Sequence, residues 1–209
     1  MTTGYKRYNY DNYDEYIHMQ MQHTKTMERT AGRPFSRYIE QIKEHFPDCK
    51  KVLCVGSRDV SEVHALRSAG YDAIGIDLFS TDINVIRLLD MHNISDEFSE
   101  NEFDLIYACH VLEHSYDPEK VLRGFRRVSK TGAFIVLPFL GAPHAKDPIQ
   151  FNFMAKHVED FDVQPDVISP LIEEDFRTLG CACTVKDLKF DPLGNNHDGY
   201  WMSIHWKTD

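Results

Sequence analysis

Gly56 and Asp77 are the first residues whose types and spacing point to chemistry. Val52, Leu53, Cys54 and Val55 form a short apolar run, as in a strand buried on both faces, and Gly56 ends it. Asp59 sits three residues before Glu62 in a capping-box pattern. Val60, Val63 and Leu66 follow at helical spacing, up to Gly70. A second apolar run, Ala73 to Ile76, ends in Asp77. Strand, glycine turn, helix, strand and acid is the order of a nucleotide-binding βαβ unit. The glycine lets a cofactor approach the backbone, and an acid about 20 residues on accepts hydrogen bonds from ribose hydroxyls. Asp77 follows Gly56 by 21 positions. A full G-x-G-x-x-G would need glycine at Arg58 and near Ser61, and has neither. The window therefore also fits a plain βαβ unit in which Gly56 only makes a turn.

His110, Glu113 and His114 match a second pattern, H-x-x-E-H, in which two histidines hold zinc and the glutamate acts as base. That chemistry needs one long helix presenting both histidines on one face. Here the apolar run Leu105 to Ala108 ends just before the pattern, and Asp117-Pro118 is an N-cap and N1 pair opening a new helix. No metal site is expected, and His114 reads as a hydrogen-bonded structural histidine. Cys181 and Cys183 form a C-x-C pair with no matching pair elsewhere, so they do not suggest zinc either.

The balance of 23 basic and 33 acidic residues gives a net charge of −10, which disfavours a nucleic-acid backbone as the main partner. No apolar run approaches membrane-spanning length, and the N-terminus does not resemble a signal peptide. The expectation is a reduced, cytoplasmic protein with no membrane partner. Cys54 and Cys109 fall in or beside apolar runs and read as small buried residues.

The elements that must position these residues alternate along the chain. The N-terminal stretch is rich in tyrosine (Tyr5, Tyr8, Tyr10, Tyr13, Tyr16), and residues 12–28 can form a helix of weak amphipathicity. Residues 1–34 read as an N-terminal arm, packed on the domain or serving as a lid through Gln20, His23 or Lys25. The main domain is placed at 35–209. Phe35, Tyr38, Ile39, Ile42 and Phe46 make a helical stripe over 35–46. A short helix is expected over 82–88, then a strand edge at 88–91. Phe103 to Cys109 is a fourth strand. Val121, Leu122, Phe125 and Val128 form the face of a helix ending at Gly132, and Ala133 to Leu137 a fifth strand. Pro138 to Ser169 is a long irregular stretch of the kind that builds binding loops. Ser169-Pro170 starts another helix. Strands follow at 182–190 and 199–206, close enough to pair antiparallel. The alternation predicts an α/β fold: a doubly wound, Rossmann-like, mostly parallel sheet with helices on both faces.

Three windows together resemble a known family. Val52 to Glu62, then Ile74 to Asp77, then Phe103-Asp104, Val111 to His114, Asp117-Pro118, Arg127-Val128 and Gly132 are similar to the class I S-adenosylmethionine-dependent methyltransferases, within them the type 11 small-molecule group. The resemblance covers roughly residues 50–140. It implies a seven-stranded sheet with an antiparallel last strand, S-adenosylmethionine as cofactor and a small-molecule acceptor, a sugar or other metabolite. It implies that Gly56, Ser57 and Arg58 form the turn beneath the methionine moiety. Asp77 would bind the ribose hydroxyls and Leu78 flank the adenine. Asp90 would accept the adenine amino group beside Met91, and Cys109 and His110 would face the sulfonium. For a hydroxyl acceptor the candidate bases are His110 and His144, with Asp147 as an orienting acid. The sequence departs from the family pattern where Cys54 replaces an acid and Arg58 and Val60 replace glycines. That departure keeps a second reading open, a methyltransferase-fold subunit that binds partners without catalysis.

Overall fold

The computed structural model describes residues 10–26, 35–57, 60–80, 82–138, 165–178, 180–191 and 199–207. Its helices are α1 (Tyr13–Thr26), α2 (Phe35–His45), α3 (Ser61–Ser68), α4 (Ile94–Glu97), α5 (Pro118–Val128) and α6 (Pro165–Thr178). Its strands are β1 (Lys51–Val55), β2 (Asp72–Asp77), β3 (Ile86–Leu88), β4 (Phe103–Cys109), β5 (Ser129–Pro138), β6 (Cys183–Asp191) and β7 (Gly199–Trp206). Two 3-10 turns, Met91–Asn93 and Leu112–His114, follow β3 and β4.

The strands form one seven-stranded sheet in the order β3-β2-β1-β4-β5-β7-β6. β3, β2, β1, β4 and β5 pair parallel, and β7 runs antiparallel to both β5 and β6. The expected antiparallel pairing of the last two strands is borne out.

Strand periodicity places the core. Leu53, Val55, Ile106, Ala108, Ile135 and Leu137 face the layer that holds α5 and α6 through Val121, Leu122, Phe125, Ile172 and Phe176. The alternate residues Val52, Cys54, Leu105, Tyr107, Phe134 and Val136 pack on α2 and α3 through Tyr38, Ile42, Phe46, Val63 and Leu66. Both faces are covered, which is why these strands read as continuous apolar runs.

Several motif residues have structural jobs. The Asp104 carboxylate takes the backbone N–H of Lys50 (2.9 Å) and Lys51 (2.8 Å) and pairs with the Lys130 Nζ, tying the starts of β1 and β5 to β4. Arg127 donates to the Ser95 and Phe98 carbonyls at 2.9 and 3.0 Å, which fixes the segment after α4 on α5. Asp117 caps α5 by accepting from the Lys120 N–H, with Pro118 behind it.

Some boundaries differ from the sequence reading. Residues 82–85 form a turn and 86–88 a strand, not a helix, because the Asp82 carboxylate draws in the Asn84 N–H while Ile86 is buried against β2. The expected strand edge at 88–91 gives way to a 3-10 turn capped by Asp90. Gly132 does not end a helix; α5 stops at Val128, and Gly132 lies within β5 opposite His205. A Cβ there would stand 1.9 Å from the Ile204 carbonyl oxygen, so only glycine admits β7 at this distance. α3 is capped at Val60, and its expected cap Asp59 lies outside the described residues. α6 begins at Pro165, before the expected Ser169, with Pro170 inside it.

A cleft at the carboxyl ends of β1, β2 and β4

The strand order reverses between β1 and β4, and in open α/β sheets a ligand crevice forms at that switch point. Here a cleft whose open space amounts to about 540 Å³, bulk solvent included, lies at the carboxyl ends of the strands. Its wall includes Val55 and Gly56 at the end of β1, Ile76, Asp77 and Leu78 at the end of β2, and Leu89, Asp90 and Met91 after β3. His110, Val111 and His114 follow β4, and Tyr16 and Gln20 come from α1.

Gly56 turns the chain out of β1 with φ +76°, and its N–H donates to the Ile76 carbonyl (2.8 Å). The Ser57 N–H reaches the same carbonyl at 3.2 Å. A Cβ on Gly56 would lie 2.4 Å from a Val111 methyl, so the turn is both left-handed and closely roofed. Asp77 ends β2, and its carboxylate accepts from the Phe79 N–H at 3.1 Å.

Asp90 is the centre of a buried network. Its Oδ1 accepts the His92 N–H (2.9 Å) and contacts the His92 Nδ1 (2.6 Å), and its Oδ2 accepts the Tyr13 hydroxyl. The His92 Nε2 in turn accepts the Tyr116 and Asp117 N–H groups, each at 3.1 Å. That arrangement places the ring proton on Nδ1, donating to Asp90. Burial alone would raise the Asp90 carboxyl. The His92 ring and N–H and the Tyr13 hydroxyl outweigh it and hold the group below its ordinary value. Burial and the Asp90 charge push the Tyr13 and Tyr16 hydroxyls well above the usual tyrosine range. Tyr13, Tyr16 and Tyr116 pack their rings 5.3–5.5 Å apart around His92. α1 is thereby pinned over the β3 end of the cleft.

His110 has φ +51°, a left-handed conformation uncommon for a residue with a side chain, and its N–H donates to the Val136 carbonyl at 2.9 Å. Its Nδ1 stands 3.6 Å from the buried Glu113 Oε1. Its Nε2 is buried and has no hydrogen-bond partner among the described residues, and neither has the Glu113 Oε2. The helix that an H-x-x-E-H metal site requires is not formed: the chain bends at His110, and 112–114 is a single 3-10 turn. Among the described residues no group of three or more His, Cys, Asp or Glu could hold a metal ion.

The expected site residues divide as follows. Gly56, Asp77, Leu78, Asp90, Met91 and His110 meet at the cleft. Ser57 is buried beneath it, its hydroxyl on the Cys54 carbonyl at 2.9 Å. Cys109 is buried in the α2–α3 core rather than on the cleft wall, because strand alternation turns it to the face of Cys54 and Tyr107. Arg58, His144 and Asp147 lie outside the described residues, as do the side chains of His23 and Lys25. Sequence reasoning missed His92 and Tyr16 as site components and met Glu113 only within the H-x-x-E-H pattern; the Asp90-x-His92 spacing, an acid capping a turn that contains a histidine, was the available signal for His92. The acid lost at Cys54 has a neighbour: Glu62 is buried, with Oε2 accepting from the Cys54 thiol at 3.6 Å.

The observations fit a nucleoside. A glycine turn with no room for a Cβ, a carboxylate at the β2 end and apolar walls formed by Val55, Ile76, Leu89 and Met91 converge on one cleft. Residues 53–137 match a family model described as a methyltransferase domain. No curated protein sequence matches the chain. Among solved structures it is similar to the 1,6-didemethyltoxoflavin-N1-methyltransferase of Burkholderia thailandensis, bound to 1,6-didemethyltoxoflavin and S-adenosylhomocysteine. The TM-score is 0.64 at 13% identity, over 94% of this chain and 87% of that one. The N-methyltransferase NodS of Bradyrhizobium japonicum, also with S-adenosylhomocysteine, gives 0.60 at 12%, over 92% and 99%. The putative methyltransferase in complex with the Haloferax volcanii activator Trm112 gives 0.55 at 13%, over 95% and 100%. With the sheet order, these likenesses show that the chain has the fold of class I S-adenosylmethionine-dependent methyltransferases, and that residues 53–137 are similar to a methyltransferase domain.

Proposed function

We propose that the protein transfers a methyl group from S-adenosylmethionine to a small-molecule acceptor. The observation that carries this reading is the convergence of Gly56, Asp77, Asp90 and His110 on one cleft at the carboxyl ends of the strands. Asp77 binds the ribose diol, and Leu78 and Met91 flank the adenine. Asp90, engaged by Tyr13 and His92, presents a fixed negative edge to the adenine amino group. The backbone of Gly56, Ser57 and Arg58 supports the methionine portion. The cofactor supplies an electrophilic methyl on a positively charged sulfur. The protein's part is orientation, since in-line displacement gains most from alignment and proximity.

The arm of residues 1–34 closes the site through α1, where Tyr16 and Gln20 already stand on the cleft wall. His144 and Asp147 of the segment 138–169 are the candidate polar groups of the acceptor side. The acceptor is a small metabolite, in keeping with the small-molecule ligand named for the Burkholderia structure and with the net charge of −10.

Titration calorimetry with S-adenosylhomocysteine tests this. Binding is expected, and Asp77→Ala should weaken it by about 1–3 kcal/mol, the cost of leaving the ribose hydroxyls unpaired. An absence of binding at millimolar ligand would refute the reading. The alternative, a non-catalytic partner subunit, rests on Cys54 standing where the family has an acid. It would be favoured if no cofactor bound.

A further inference from the structure

We propose that His110, backed by Glu113, is the general base of this site, and that the acceptor is a group that arrives carrying a proton on the attacking atom: a hydroxyl or a ring N–H. The proposal rests on the methyl-transfer reading above and names the chemistry of its acceptor.

Three observations converge. The His110 backbone is held at φ +51° by its N–H on Val136. A left-handed residue with a side chain is strained and persists where its surroundings over-determine it, often at a functional site. His110 stands on the cleft wall just past the end of β4. Secondly, the ring is asymmetric. The Nδ1 faces Glu113, while the Nε2 is buried with no hydrogen-bond partner among the described residues. An orphaned buried nitrogen calls for a reason, and a reacting proton supplies one. Thirdly, Glu113 is itself buried, its side chain 3% exposed, with one oxygen unpartnered. A buried carboxylate is costly unless it is paired. When His110 takes up a proton, the imidazolium charge lies beside the Glu113 carboxylate, across the Nδ1 side of the ring. The 3.6 Å separation exceeds a formed hydrogen bond, and such catalytic contacts are often long before substrates bind and tighten in the complex.

The step balances. A lone pair of the acceptor oxygen or nitrogen forms the bond to the methyl carbon. The carbon–sulfur bond breaks with its electron pair left on sulfur, giving S-adenosylhomocysteine. The acceptor proton passes to the His110 Nε2, and the imidazolium rests against the Glu113 carboxylate. Glu113 touches no reactant and acts as a positioning residue, holding the proton on Nδ1 so that Nε2 presents its lone pair.

Long-range proton–nitrogen NMR of uniformly 15N-labelled protein tests the assignment without a known acceptor. The expected result is a single His110 tautomer, with a pyrrole-type Nδ1 and a pyridine-type Nε2 that moves when S-adenosylhomocysteine is added. In Glu113→Gln, whose amide both donates and accepts, the single tautomer should give way to a mixture. Glu113→Asp, which restores the charge, should return most of it. A protonated Nε2 in the wild type, or a tautomer unchanged in Glu113→Gln, would overturn the proposal. The calorimetry above separates the two ideas. Absent S-adenosylhomocysteine binding sinks the methyltransferase reading, whereas binding with a protonated Nε2 sinks only the base. With labelled cofactor, Glu113→Gln should also reduce methyl transfer to a phenol at saturating concentration more than it changes half-saturation. Undiminished transfer would count against the proposal.

Discussion

Gly56→Ala tests the turn on which the cleft depends. Two costs can be read from the structure. The residue sits at φ +76°, where a side chain costs about 1–2 kcal/mol. The new methyl would also stand 2.4 and 2.6 Å from the Val111 Cγ2 and Cβ, an overpacking worth about 1–3 kcal/mol. The sum, about 2–5 kcal/mol, is a large part of a typical 5–15 kcal/mol stability. For a chain of this length it lowers the melting temperature by roughly 4–20 °C. The two parts separate in a double-mutant cycle with Val111→Ala. That change removes the atoms in the clash and leaves the backbone strain. Urea unfolding of the four proteins should therefore show favourable coupling of about 1–3 kcal/mol between the substitutions. Additive costs, or a Gly56→Ala penalty under about 1 kcal/mol, would show that Val111 does not roof the turn. Because Val111 follows His110, the single variant should also bind S-adenosylhomocysteine more weakly, and the double variant should recover part of that loss.

Other outcomes follow from the same geometry. Tyr13→Phe removes a part-buried hydrogen bond to a carboxylate and should cost about 1–2 kcal/mol; protease cleavage within residues 13–26 should accelerate while the sheet stays resistant. Asp90 is held below its ordinary value, so its stabilisation is complete above the unfolded carboxylate value near 4 and is lost as pH falls through the lower native one. Asp90→Asn should therefore lose less stability than wild type on acidification below about pH 4 in chemical unfolding. Burial pushes the Cys181 thiol up to about 11 and the Cys49 and Cys183 thiols up to about 12, and that of Cys54 well above its usual range. Iodoacetamide at pH 8 should leave all four unmodified in the native protein by intact mass, and modify them in denaturant.

The sheet was legible because both its faces are covered, so β1, β4 and β5 announce themselves as apolar runs, and β7 by alternation. The helix expected at 82–88 was misread for the opposite reason. Its strand is three residues long and only Ile86 is buried, too little for any period to register. Gly132 deceived by type: a glycine after a helical stripe suggests a cap, and its real constraint, the Ile204 carbonyl, comes from far along the sequence. Within the site, Asp77 was legible as an acid at a strand end, Asp90 through the family resemblance, and Gln20 from the reading of the arm. The linkage of Asp90 to Tyr13 and to the α5 entrance through His92 was not, because spacing does not reveal a contact across 77 residues. Cys109 was misplaced by one step of strand alternation, which turns it from the cleft to the opposite core.

The place of β7 inside the sheet also sets an order of events for the newborn chain. Among the described strands β7 comes last in sequence, yet it fills the slot between β5 and β6. Until residues 199–206 are available, β5 shows an open edge along Gly132–Pro138 whose Ala133–Leu137 side chains are all bound for the interior. Such an edge is a template for pairing with another chain. β6 meanwhile has no strand to pair with, since its ladder is formed with β7 alone. The parallel half, β3 to β5, can assemble as the ribosome delivers it. The other half waits for a late, long-range insertion of the kind that is slow to form. Yield in the cell is then governed by a race between capture of β7 and capture of a neighbouring molecule, and a chaperone that shields β5 during that interval acts on the step that matters most.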